Sequence, residues 1–268
     1  TMATGGFSTK NTSIAHYDSP YVDFIIMIFM FLAGTNFTML YFGLHGKLKK
    51  VFKNQEFRSY GISCLAISVF CALGIWLNGD ENLTDSLRYG FFQVISVITT
   101  TGFITQDYTA WTPLLTMLFF FLMFVGASAG STSGGIKIIR HLILVKNSFL
   151  EFNRQIHPSA VLPLRLNGKG VNGEVTFQIL AFVILYLTIF ALGSLAMALL
   201  GVDLVTAMGA AATCLGNVGP GIGSVGPIAN FAYMPTIGKW ILALLMLLGR
   251  LELFTVLILF TPFFWRKT

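Results

Sequence analysis

The stretch Cys214-Leu215-Gly216-Asn217-Val218-Gly219-Pro220-Gly221-Ile222-Gly223 decides the fold. Glycine and proline at this density stop a helix, yet the residues on both sides are apolar enough to lie in a bilayer. Backbone with unpaired carbonyls cannot face lipid, so the stretch is either covered by protein or lines a watery path. The second option implies transport.

The device occurs twice more. Thr4-Gly5-Gly6-Phe7 leads into Ser8-Thr9-Lys10-Asn11, and Thr100-Thr101-Gly102-Phe103 leads into Ile104-Thr105-Gln106-Asp107, with Asn217-Val218-Gly219-Pro220 as the divergent third copy. Three glycine-centred loops, each followed by a long apolar helix, make an internal repeat of roughly a hundred residues. A pore of equivalent units is the expectation.

Composition fixes the class. The chain has 268 residues, 55% hydrophobic and 10% charged, with 26 Phe, which is too apolar for a soluble domain of this length. Its net charge of +6 is not a nucleic-acid signal, because 13 of the 17 Lys and Arg lie in three patches, at 47–58, 137–169 and 266–267. The positive-inside rule reads these as cytoplasmic helix ends. Asp18, Asp23, Asp80, Glu81, Asp85, Asp107 and Asp203 fall on the other side, beside the loops, where an acidic mouth would concentrate cations. Cys64, Cys71 and Cys214 sit in apolar stretches and read as packing, and the four His are too scattered for a metal site.

In chain order, 21–44 is apolar over 24 residues, about 36 Å as a helix and enough to cross a bilayer. Residues 60–77 return. Residues 83–99 are too mixed to span and suit a re-entrant half-helix whose C-terminal end, partially negative, points at the loop of Thr100. An inward helix from 111 to 146 is broken at its middle, 175–200 spans outward, 203–213 forms another half-helix, and 234–264 spans inward. Residues 149–174 are polar, with prolines and glycines, and read as a cytoplasmic connector. Trp76, Trp111, Trp240 and Trp265 fall at predicted membrane boundaries.

The break at 126–135 is small, polar and flexible. Gly130 and Gly135 have the spacing of a nucleotide-phosphate loop, but Ile136 stands where that motif needs Lys and no strand precedes it. Close helix packing by small residues is a second reading. The preferred reading is an intramembrane loop lying across a pore, able to open and close, with Gly126, Gly130, Ser131, Thr132, Gly134, Gly135 and Lys137 as its gating residues. Arg250, halfway along the last helix, costs about 2.5–3.5 kcal/mol there and needs water or a partner. It is expected to face the pore near the loop and retard cations, a structural ion pair being the alternative. Glu252, two residues on, projects from the opposite side of the helix.

On these residues the chain resembles the Trk/Ktr/HKT superfamily of potassium transporters, closest to the TrkH type. The match is carried by Thr100-Thr101-Gly102-Phe103, by 126–137, by Leu215-Gly216-Asn217-Val218-Gly219-Pro220-Gly221 and by Leu248-Gly249-Arg250-Leu251-Glu252. The resemblance implies an all-α integral membrane fold of repeated units, each an outer helix, a re-entrant pore half-helix, a filter loop and an inner helix of the potassium-channel type. Filter carbonyls at Thr4, Gly5, Gly6, Thr100, Thr101, Gly102, Asn217, Val218 and Gly219 would replace the hydration shell of potassium. It further implies a homodimer in the bacterial cytoplasmic membrane, gated by a cytoplasmic nucleotide-binding subunit of TrkA type, with potassium ions and no covalent cofactor.

The units divide as 1–58 (end of a second pore unit), 59–174 (third) and 175–268 (fourth). One unit and most of another are absent, so the missing half is expected upstream or in a separate chain. Potassium uptake through a gated, channel-like cation pathway is the function expected. The alternatives are symport with protons or sodium, for which Glu252 is the mid-membrane acid, and a non-transporting scaffold.

Overall fold

Side-chain caps at Asn36, Asn54, Thr112, Asn172 and Asp203 set the starts of five helices, and the two sharp helix breaks fall at side chains that bond elsewhere. The structure is a computed structural model and describes residues 1, 3–79, 81–158, 160 and 162–265. Asp80 of the acidic group and Arg266 and Lys267 of the last basic patch lie outside the described residues.

The first apolar stretch forms α1 (Pro20–Ala33) and α2 (Phe37–Leu44), bent by 110° at their junction rather than the one straight span expected from 21–44. The cause is Asn36, whose side-chain oxygen accepts from the Thr38 amide to start α2 while its amide nitrogen donates to the Ala129 carbonyl at 2.6 Å. The short basic helix α3 (Leu48–Lys53) turns the chain into α4 (Gln55–Asn78), capped by Asn54 on the Phe57 amide and ended by Gly79 in a left-handed conformation. The half-helix α5 (Leu83–Ile98) packs along α4 and also against α1. Its last turn and the two residues after it are buried, with Ser96, Thr99 and Thr100 at 0% exposure.

Pro113 at the first turn, with Thr112 as cap, starts α6 (Pro113–Leu122). The break after it runs longer than 126–135, because the next helix resumes only at residue 138. Two-residue strands β1 (Val125–Gly126) and β2 (Ile136–Lys137) pair in parallel and close its neck before α7 (Ile138–Ile156). The connector is less irregular than expected: α7 reaches into it, and β3 (Arg165–Leu166) and β4 (Lys169–Gly170) form a hairpin. Then come α8 (Gly173–Leu199), the half-helix α9 (Leu204–Gly216), α10 (Thr236–Leu251), α11 (Leu253–Leu259) and α12 (Pro262–Trp265). The expected span 234–264 is therefore broken. At Glu252 φ is +66° and ψ 133°, and α11 leaves α10 at 115°.

Among the described residues, helices α4 and α8 are long and apolar enough to cross a membrane, and the two bent pairs bring the total to four if each is one span. One core gathers Tyr60, Cys71, Val97, Phe119 and Met123, and a second gathers Tyr186, Met197, Ala211, Leu215 and Leu245. Trp76, Trp240 and Trp265 are exposed, as interfacial residues should be. Trp111 is not, since it is buried against Phe119 with its indole N–H donated to the Gln106 side chain.

Candidate functional site

The three glycine-centred loops meet. Both half-helices, α5 and α9, run into the interior and end immediately before a loop, so their partially negative ends lie beside it. Thr4, Thr100 and Asn217 have φ of 57°, 54° and 57°, and Gly6, Gly102 and Gly219, two residues further on in each, have 75°, 73° and 119°. In the second and third loops the residue between has negative φ; in the first, Gly5 is also positive, at 99°. In the second and third loops, reversing handedness at every second residue turns successive carbonyls toward one side, where an extended strand would alternate them.

The glycines are required by the approach of the loops. A methyl on Gly102 would overlap the Val218 carbonyl, and one on Gly6 would lie 2.9 Å from the Gly102 oxygen and 3.3 Å from Gly219 Cα. Gly5 and Gly6 amides donate to the carbonyls of Thr100 and Thr101 at 2.9 and 2.7 Å. A cavity of about 420 Å³ opens on this cluster and is lined by Gly5, Gly6, Gly102, Thr213, Asn217 and Gly219 among others. Asn217 turns its side chain away, donating to the Met246 carbonyl of α10 at 3.1 Å, and Val218 is buried in the first core.

Directly beside this cluster lies the loop 126–135. Its Gly134 amide donates to the Thr100 hydroxyl at 2.7 Å, so loop and glycine cluster are joined by a hydrogen bond. The break between α1 and α2 holds its other side, with Ser128 N–H donated to Gly34, Thr132 N–H to Ala33 and Phe37 N–H to Gly130. Glu56 accepts from the Ala129 amide at 2.6 Å and is only 9% exposed. Neither Glu56 nor Asn36 stood out in the sequence. The available signals were an acid two residues into an apolar span and the small polar run Gly34-Thr35-Asn36 inside another.

Arg250 joins the two regions. Its Nη1 donates to the Thr4 hydroxyl at 2.8 Å and to the Thr132 carbonyl at 2.7 Å, next to the loop as expected and without a carboxylate partner among the described residues. Glu252 pairs instead with Arg140 at 3.1 Å, and Arg140 also stacks on the Phe182 ring, 3.8 Å from its centroid. Lys137 Nζ reaches back to the Ser133 carbonyl and hydroxyl. Gly130, Ser131, Thr132, Gly134, Gly135, Lys137 and Arg250 all border a second cavity, of about 270 Å³, whereas Gly126 is held in the β1/β2 pairing outside it. The acidic mouth is weaker than its count of acids suggests: Asp23, 1% exposed, and Asp18 both bind Arg88, at 2.7 and 3.5 Å.

The sequence profile of TrkH, described as a cation transport protein, matches residues 1–61 and 65–267. The chain belongs to the TrkH family. It is a family of transport proteins, not of enzymes, and the apolar helices are those of a membrane protein. The Trk system potassium uptake protein TrkH of Salmonella typhimurium is 40% identical over 270 residues, covering 100% of this chain and 55% of its own length. TrkI of Halomonas elongata, also a Trk system potassium uptake protein, is 38% identical over 99% of this chain and 54% of its own. The crystal structure of the potassium transporter TrkH from Vibrio parahaemolyticus superposes with a TM-score of 0.93 over 99% of this chain and 57% of that one, at 34% identity. The chain thus spans about half the length of the curated TrkH-family relatives it matches. The helical pore-unit fold expected from the sequence is the fold found.

Proposed function

We propose that this chain supplies half of a potassium uptake pathway across the bacterial cytoplasmic membrane. The carbonyls of Thr4, Gly5, Gly6, Thr100, Thr101, Gly102, Asn217, Val218 and Gly219 act as its selectivity filter, and 126–135 acts as its gate. The observation that carries this reading is the meeting of three glycine-centred loops, two of them at buried half-helix ends, with the loop 126–135 hydrogen-bonded directly to Thr100. Carbonyl rings substitute for ion hydration, and half-helix ends add favourable potential for a cation. The pore units run 1–58, 59–174 and 175–268. Homodimer formation and control by a cytoplasmic nucleotide-binding subunit of TrkA type follow from the family resemblance.

Rubidium uptake into proteoliposomes of the complete protein tests the reading. Accumulation driven by an inward gradient and competed by potassium is expected, and no uptake would leave a membrane scaffold. Symport is the alternative, but its mid-membrane acid, Glu252, is engaged by Arg140. Reversal potentials that follow the potassium gradient alone support the channel-like pathway; a shift with pH or sodium supports coupling.

A further inference from the structure

The elbow that leads into α4 carries Lys47, Lys49, Lys50 and Lys53, and Arg58 follows in the first turn of that helix, all five exposed. No acid compensates them. Glu56 is the only acid between Asp23 and Asp80, and it is buried, its carboxylate taken by the Ala129 amide. Among the described residues none of the five cations has an ion pair; Lys50 lies over the Phe42 ring, 5.2 Å from its centroid. The second feature is apolar. On α3, Leu48 and Phe52 stand four residues apart and share a face, 54% and 62% exposed, and Leu44 just before the elbow is 88% exposed. Val51 is buried and pins the helix, while Lys49, Lys50 and Lys53 fall on the arc away from Leu48 and Phe52. Beside it sits the β3/β4 hairpin, whose Asn167 side chain accepts from the Gln55 amide at 2.7 Å and which brings exposed Arg165 and Lys169 to the same end of α4.

We propose that this elbow is a docking surface for anionic phospholipid, with Leu48 and Phe52 entering the edge of the acyl layer and the lysines meeting headgroup phosphates. Asn54 alone separates α3 from α4, so the elbow lies where a helix long and apolar enough to cross a membrane begins. Basic clusters immediately beside such a helix attract anionic headgroups, and a lysine lays its stem along apolar surface while its ammonium reaches out to the phosphate. An acidic protein would match the charges, whereas a phospholipid matches the charges and the exposed apolar face together. This needs α4 to cross a membrane and needs neither the filter nor the gate assigned above.

The test is the lipid retained by the full-length protein after purification from detergent holding phosphatidylglycerol and phosphatidylcholine, counted by mass spectrometry. Wild type should keep phosphatidylglycerol in preference. One lysine at an anionic surface changes partition by about fivefold, so Lys47→Gln, Lys49→Gln, Lys50→Gln and Lys53→Gln combined should cost at least about tenfold of that preference. Added salt should shrink it as the screening length drops below about 8 Å. All four side chains are exposed, and an unchanged thermal midpoint checks that the variant folds. Phe52→Ser keeps every charge and should weaken retention by a smaller factor. No preference in wild type, or an equal one in the four-lysine variant, overturns the proposal. So does lysine-dependent capture of a polyglutamate peptide without any lipid preference, which would give the surface to an acidic protein. Preference lost in the variant while rubidium uptake persists supports the site, and preference without uptake in wild type would sink the uptake reading and keep this one.

Discussion

Asp203 starts α9 by accepting from the Thr206 amide at 3.0 Å, and bonds from Thr206 hold its carboxyl below the ordinary carboxylate range. A depressed folded pKa means that this contribution is complete above the unfolded value near 3.9 and is lost as pH falls through the folded one. Asp203→Ala should therefore lower the thermal midpoint at neutral pH by the equivalent of about 1 kcal/mol, and the gap between variant and wild type should close in acid. Arg250→Ala removes both the Thr4 and Thr132 contacts and a positive charge, so rubidium flux should rise in a protein that still folds. Arg250→Lys should fall between the two, since an ammonium keeps the charge but not the fork. Loss of folded protein in Arg250→Ala would instead make the residue a structural brace. Gly249 shows how tight the surroundings are: a methyl there would overlap the Leu215 carbonyl, separating α10 from α9.

Among the elements, the loop 126–135 is the part whose removal is most informative. Deleting it should increase flux, because its bonds to Thr100, Glu56 and the α1/α2 break are what hold it in place. Unchanged flux with normal folding would reduce it to a packing device. Glu56→Gln keeps the shape but turns a charge-assisted acceptor into a neutral one, and should raise flux more modestly.

The half-helices and the three loops were legible in the sequence because their cause is local. Polar residues at helical spacing, caps such as Asp203 and glycines at left-handed positions all act within a few residues. The bends at residues 34–36 and 252 were not. There only a few polar residues sit inside apolar runs, and what interrupts the helix is a bond to a distant partner, Asn36 to Ala129 in one case and Glu252 to Arg140 in the other. Hydropathy sums side chains along a segment and carries no information about such partners. Within the site, the glycines and Arg250 could be named from residue type alone, whereas Glu56 acquires its role only when α4 is brought against the loop.

Across the whole molecule, the buried pair Asp23–Arg88 ties α1 to the half-helix α5, the helix that ends at the loop of Thr100. Asp23→Asn leaves the Arg88 guanidinium only the exposed carboxylate of Asp18, at 3.5 Å, and should cost on the order of 3 kcal/mol, measured by unfolding of the reconstituted protein. Combining it with Arg88→Met should recover much of that loss; a double variant as unstable as the two singles added would show that the pair is not coupled. The peptide bonds between loops reach further still. The oxygens of Thr100 and Thr101 are occupied by the amides of Gly5 and Gly6. On the filter proposed above, a dehydrated ion that claims those oxygens strips two amide hydrogens of their shelter, so deuterium should enter Gly5 and Gly6 faster as potassium is raised, making the solvent label on two glycines a counter of ion occupancy.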